Sequence, residues 1–353
     1  MSKLKNLTKK QLFLPIFSMI LVMLINVVFD IANGNGALNF FTITIKNGVL
    51  FGRLVDIVNW GSEIAILAIG MTLVVSASAG TDISVGSVMS LSGGLCCMVL
   101  AGYGVSNVSE YAHPLWMGLL AGLLIACVCG LFNGLLVAYM NIQPMVATLI
   151  LWSAGRAIGL LLCNSQIVYV RVESFQLLGG YVGVLPTPIL VAAICILIAA
   201  LVLRFTALGT YVQSVGISKK AARISGFNSA KIILMCYVIC GLCAGIAGLT
   251  ETSRIYSADT NNIGLNMELD AILAVALGGN SLGGGKFNLA GSIIGAYTIQ
   301  AITTTLLALG VSSAQAPVYK AIVVLIIVII QATPVKDYFK KLSARKGKEA
   351  PQA

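Results

Sequence analysis

Apolar residues run along this chain in long blocks, broken by short polar stretches. Ten blocks stand out, at residues 12–32, 62–79, 84–103, 115–140, 145–163, 188–206, 231–250, 268–279, 289–310 and 317–334. An α-helix rises about 1.5 Å per residue, so about 20 apolar residues match the hydrocarbon depth of a bilayer. The pattern predicts an all-α, polytopic membrane protein of about ten transmembrane helices. The first block follows Lys9 and Lys10, and Asn33–Gly36 gives no clean small-x-small cleavage site, so it reads as an uncleaved anchor. The eighth is short and runs into glycines. It is expected to dip and break rather than cross cleanly. No stretch outside the blocks reaches about 50 residues, so the chain reads as a single membrane domain over 1–353.

Composition sharpens this picture. The 353 residues are 58% hydrophobic and 10% charged, against about 25% charged in soluble domains. Mean hydropathy is +0.96. Too few polar side chains remain to cover a soluble core, whereas lipid removes that need. The net charge of +10 invites a nucleic-acid reading, but its distribution argues against one. Lys and Arg gather in the first ten residues, in 204–231 and in the basic tail 336–353. With ten spans starting inside, the N-terminus, 80–83, 141–144, 207–230, 280–288 and the tail face the cytoplasm. Sixteen basic residues then lie inside, and only Lys46, Arg53, Arg171 and Arg254 lie outside. Cytoplasmic loops collect Lys and Arg, so both termini are placed in the cytoplasm.

Nine cysteines fall almost entirely within apolar blocks. Cys236, Cys240 and Cys243 share a helical face, but His113 is the chain's only histidine. The cysteines read as small packing residues, with neither a metal site nor a disulfide framework.

Five spans precede residue 164 and five follow residue 187. The groups 12–163 and 188–334 would form two five-helix halves, the second inverted because five is odd. Two Gly- and Ser-rich polar stretches interrupt the apolar pattern, Ala79–Gly86 and Gly278–Gly285. They sit on the same side, so they are not simple inverted mates, and the repeat stays open. Broken chain at membrane depth persists only when buried in protein or lining a wet cavity. These stretches therefore read as pathway-lining or gating elements, with tight interfacial turns as the alternative. Glycines four apart at Gly118/Gly122, Gly130/Gly134, Gly241/Gly245 and Gly291/Gly295 are expected to let helices approach closely.

Ionisable residues inside spans are functional candidates. Here they are Glu63, Asp82, Arg156, Asp270 and Lys320. Arg156 is the most central and is expected to face the bundle near Asn133 or Thr148. Ser84 and Asn280 complete the polar candidates for a substrate pathway or its gates. An ion-coupled secondary carrier using Glu63, Asp82 or Asp270 as proton sites is a competing reading. A membrane-embedded enzyme is not supported, because no nucleophile–base pair or metal cluster is visible.

The loop Leu208–Asn228 carries a distinct signal. Ser218 can cap a short helix starting at Lys219, and Gly226 can end it. Ala221 and Ala222 would give that helix a smooth knob for a partner.

Three motifs give the chain a resemblance. Gly80-Thr81-Asp82-Ile83-Ser84-Val85-Gly86, the loop Gly216–Gly226 and the stretch Gly278–Gly295 are similar to those of bacterial ATP-binding cassette permeases for monosaccharides. This is the ribose and galactofuranose type, related to the branched-chain amino acid permeases. Gly130-Leu131-Phe132-Asn133-Gly134 and Pro144–Leu149 lie between the motifs, and the likeness covers about residues 55–333. Departures are Ala79 where glycine is common, Ser218 for Asn, Asn280 for Thr or another small residue, and the intruding Lys286-Phe287.

The resemblance implies a transport subunit in the bacterial inner membrane, not an enzyme. It would pair with a second permease subunit, two cytoplasmic ATPases and an extracytoplasmic sugar-binding protein. The loop, with Gly209, Lys219, Ala221, Ala222, Arg223 and Gly226, would be the coupling element. The chain's nearest approach to a phosphate-binding G-x-x-x-x-G-K-[ST] loop ends Gly285-Lys286-Phe287, with Asn280 at the first glycine. No cofactor of its own is expected, and ATP would be bound by partners. A branched-chain amino acid permease is the nearest alternative substrate class.

Overall fold

A computed structural model describes residues 2–32, 39–46 and 48–331. The basic tail 336–353 lies outside the described residues. The chain is predominantly helical. Before residue 187 come α1 (Ser2–Ala32), α2 (Arg53–Ser78), α3 (Val85–Ala101), α4 (Leu115–Ala138) and α5 (Pro144–Leu162). Then come α6 (Thr187–Phe205), α7 (Leu208–Ile217), α8 (Lys219–Ile224), α9 (Ser229–Ile255), α10 (Met267–Leu277), α11 (Leu289–Ala308) and α12 (Ala316–Gln331). Each apolar block lies on one of these helices. Six of them, α2, α4, α5, α6, α9 and α11, are long and apolar enough to cross a bilayer. Helix α10, with 11 residues, rises only about 16 Å.

Burial sorts the helices in a way apolarity alone would not. The most apolar long helix, α6, is the most exposed of the six, whereas the apolar window of α2 is wholly buried although its hydropathy is among the lowest. Lipid solvates apolar side chains as well as protein does, so the most apolar helix can sit outermost. The hydroxyls of α2 need protein partners. Thr72 Oγ1 donates to the Ala68 carbonyl at 2.5 Å and lies in hydrogen-bonding contact with Ser292 Oγ of α11 at 2.7 Å.

The two groups of five do not stand apart. Helix α2 packs on α9 and α11, and α9 packs on α3 and α4, so first-half helices lie between second-half ones. Small residues make this possible. A Cβ on Gly70 would lie 2.6 Å from Cys240 Cα, and one on Gly130 would lie 2.5 Å from the Tyr237 carbonyl oxygen. Gly241 meets the Ala126 carbonyl, and Gly295 the Ala274 carbonyl, as closely. The glycine spacing therefore marks real helix crossings. Seven cysteines are buried in the core, and all nine are free.

One end of the bundle carries the short strands. Here β3 (Asn107–Val108), β4 (Val168–Val170) and β7 (Ser257–Ala258) form one sheet. The strands β1 (Thr44–Lys46) and β2 (Val49–Phe51) pair as a hairpin, as do β5 (Tyr181–Val182) and β6 (Leu185–Pro186). The opposite end carries α7 and α8.

Candidate translocation and coupling sites

At the α7 end three segments lock together. Helix α2 stops at Ala79, which takes a left-handed φ of 56°. That conformation suits glycine and strains alanine. Gly285 donates its N–H to the Ser76 carbonyl at 3.1 Å, and Ser76 Oγ donates to the Lys286 carbonyl at 2.7 Å. A Cβ on Gly216, at the end of α7, would collide with that same Ser76 carbonyl. So α7, the end of α2 and the 278–288 stretch share one tight junction.

Asn280 ties the third segment down. Its Nδ2 donates to Ser292 Oγ at 2.8 Å, the Asn288 carbonyl at 3.2 Å and the Val275 carbonyl at 3.3 Å. Its Oδ1 accepts the Asn288 N–H at 2.7 Å. These bonds make Asn280 a structural knot between α10, α11 and the chain that joins them.

Asp82, Ser84, Asn133 and Thr148 do come together. Asp82 Oδ1 accepts from Ser84 N at 2.9 Å and Ser84 Oγ at 2.6 Å, and Asn133 Nδ2 donates to Ser84 Oγ at 2.8 Å. Thr148 Oγ1 accepts the Ile83 N–H at 3.1 Å. All four are buried. Asn133 Oδ1 and the nearby Tyr237 hydroxyl have no hydrogen-bond partner. The cluster holds the unwound 79–84 segment where α3 begins.

Arg156 lies elsewhere, which corrects its expected place near Asn133 or Thr148. Its Nη1 donates to the carbonyls of Asn261 at 2.7 Å, Thr260 at 3.1 Å and Ile263 at 3.3 Å. Those residues form a third unwound segment, 259–266, which enters from the strand-bearing end. Gly264 packs on Gly86, and Ser90 Oγ donates to the Thr260 carbonyl at 2.6 Å. Gly86 lies about 22 Å along α3 from Ala101, by helical rise. The segment therefore reaches deep into the bundle and meets the 79–84 segment at the start of α3.

Sequence reasoning placed 259–266 in an outer loop and missed this. The polar run Asp259-Thr260-Asn261-Asn262 beside Gly264 was the available signal. The apolar block ends at residue 250, which leaves Arg254 outside, whereas α9 runs on to Ile255 and carries Glu251 and Arg254. Arg254 Nη1 pairs with Glu63 Oε1 at 3.2 Å, and its guanidinium sits 4.1 Å over the Trp60 ring. Lys320 Nζ pairs with Asp270 Oδ1 at 2.6 Å. Two of the three acids suggested as proton sites are thus held by cations. Among the described residues no group of His, Cys, Asp and Glu could hold a metal.

The coupling loop folds nearly as its sequence suggests. Ser218 Oγ accepts the Ala221 N–H at 3.2 Å, and Gly226 takes φ 86° just past α8. Helix α7 was not anticipated. Ala222 is buried against the chain itself, so it is no knob for a partner, whereas Ala221, Lys219 and Arg223 are exposed. Ile224, unnoticed in the sequence, is 89% exposed. Gly209 sits beside the Phe287 ring. Lys219, Arg223 and Gly226 also border a cavity of about 540 Å³ between α8, the start of α9 and the end of α4.

Residues 53–332 match the family model described as the branched-chain amino acid transport system / permease component. The chain belongs to this permease family. The permease is 41% identical to the galactofuranose transporter permease protein of Escherichia coli, over 87% of each chain. It is 35% identical to the ribose import permease protein of Escherichia coli, over 83% of this chain and 87% of that one. With the fructose import permease protein of Bifidobacterium longum it shares 33%, over 86% and 84%. A member of this family with six such helices is a multi-pass membrane protein.

Proposed function

We propose that this permease is the membrane subunit of an ATP-binding cassette importer that carries a monosaccharide into a bacterial cell. The observation that carries the reading is its likeness, over more than four-fifths of the chain, to permeases named for galactofuranose, ribose and fructose. The same likeness favours a sugar over a branched-chain amino acid. Against an ion-coupled carrier stand the ion pairs at Glu63 and Asp270.

The chain forms one permease domain in the inner membrane, with about ten spans and both termini in the cytoplasm. The α7–α8 end faces the cytoplasm and the strand-bearing end faces the binding protein. A second permease subunit completes the pathway. The permease binds no cofactor, and separate ATPases supply the energy. Closure of those ATPases pushes on α8, through Lys219, Ala221, Arg223 and the exposed Ile224. Gly209 and Gly226 flank the moving element, and Ala222 anchors it. The force passes from α7 through the Gly216–Ser76–Gly285 junction to the end of α2. The Asp82–Ser84–Asn133–Thr148 cluster and the 259–266 segment, held by Arg156, gate access from opposite sides.

The test is affinity purification in mild detergent. A co-purifying ATPase, stimulated by one sugar-loaded binding protein, is expected. Ile224→Asp or Ala221→Asp should remove the ATPase while leaving the permease in the membrane. Purification of wild type without any ATPase would favour the carrier.

A further inference from the structure

Among the described residues four charged groups leave buried atoms without a hydrogen bond: Glu63 and Arg254, which face each other as an ion pair, and Arg156 and Glu268, which do not. Glu268 is 5% exposed, and its Oε2 has no partner. Arg156 Nη2 is buried and equally unpartnered. The two groups act on each other electrostatically, yet they are not among the ion pairs closer than 4.0 Å. A carboxylate and a guanidinium left unpaired at membrane depth each keep one free hydrogen-bonding atom, closed off from solvent in this state.

The surroundings define a built site. Glu268 opens α10, and Oε2 lies over Gly86, where any Cβ would displace it. Trp152 of α5 donates its Nε1–H to Glu268 Oε1 at 3.2 Å, yet the residue remains 39% exposed. Arg156 follows Trp152 by one helical turn, so both project on the same face of α5. Helices α5 and α10 each pack on α3, so the Trp152 and Glu268 side chains meet over Gly86. The unwound segments 79–84 and 259–266 converge here.

From this geometry we infer that Trp152, Arg156 and Glu268 contact the transported sugar. The inference rests on the monosaccharide reading and adds the site to it. When the bundle opens during transport, neighbouring hydroxyls of a neutral sugar would take up the two free atoms, donating to Glu268 Oε2 and accepting from Arg156 Nη2. The carbon-bound face of the ring would lie on the exposed indole. A site with an unpaired donor and an unpaired acceptor discriminates against analogues that lack either hydroxyl, because the buried group then stays unsatisfied.

The experiment uses the complete importer in liposomes, with ATP supplied and uptake followed for ribose, fructose and galactose. Glu268→Gln is expected to lower uptake of the preferred sugar about tenfold, with partial rescue by Glu268→Asp. Trp152→Phe is expected to shift the ratio of uptake rates between two of the sugars by about threefold. A merely structural role would scale all three rates together, so unchanged ratios in both variants would overturn the inference. Unchanged uptake in Glu268→Gln would overturn it as well. Wild type with no ATP-dependent uptake of any sugar would instead defeat the underlying reading before a variant is made.

Discussion

Two polar clusters inside the bundle make an instructive pair. Around Asn280, both side-chain polar atoms have partners, drawn from α10, α11 and the loop between them. Between Arg156 and Glu268, one atom on each side has none. Leaving a buried polar group unsatisfied costs about 1–3 kcal/mol. The first cluster therefore stabilises the fold, and the second weakens it in exchange for something else to bind. Polarity at membrane depth alone does not separate structure from function.

Four substitutions would break or sharpen this contrast. The largest effect belongs beside the knot, at Gly216. Valine there must push its side chain into the Ser76 carbonyl, and a loss of at least about 3 kcal/mol is expected. The check is the fraction of folded protein recovered from membranes. Asn280→Ala comes next. It orphans the Asn288 N–H and the Ser292 hydroxyl contact, which should lower stability by about 2–4 kcal/mol in detergent thermal unfolding. At Glu268 the same measurement should give the opposite result. Glu268→Gln removes a buried charge with an unsatisfied oxygen, so stability should change by less than about 1 kcal/mol even as transport falls. A large destabilisation there would erase the contrast. The smallest effect is a gain. Ala79→Gly relieves the left-handed strain at φ 56° and should stabilise by about 0.5–1 kcal/mol.

Much of this architecture was legible in the sequence, for a physical reason. Lipid demands long apolar blocks, so ten of them announced where the helices lie. Cap chemistry did the same for α8, through Ser218 and Gly226. The interleaving of the halves was not legible, because it depends on which face of α2 meets α9, and an all-round apolar helix hides its faces. The 259–266 segment was lost for a related reason. A polar run between spans reads as a loop, and nothing local shows whether it stays at the surface or folds inward along α3. Of the pathway candidates, Asp82, Ser84, Asn133 and Thr148 were brought together, while Arg156 and Asn280 went to separate clusters. Ala222 turned inward. Trp152 and Glu268 were missed, because an aromatic in an apolar block and an acid at a span edge carry no signal until the helices are placed side by side.

The central claim is ATP-driven sugar import through this chain. Its most direct test is uptake of labelled ribose, fructose and galactose into liposomes holding the permease, its ATPase and its binding protein. ATP would be sealed on the cytoplasmic side. Uptake of one sugar that requires ATP and persists when an uncoupler collapses all ion gradients is the predicted result. Uptake that ignores ATP and vanishes with the uncoupler would contradict the account.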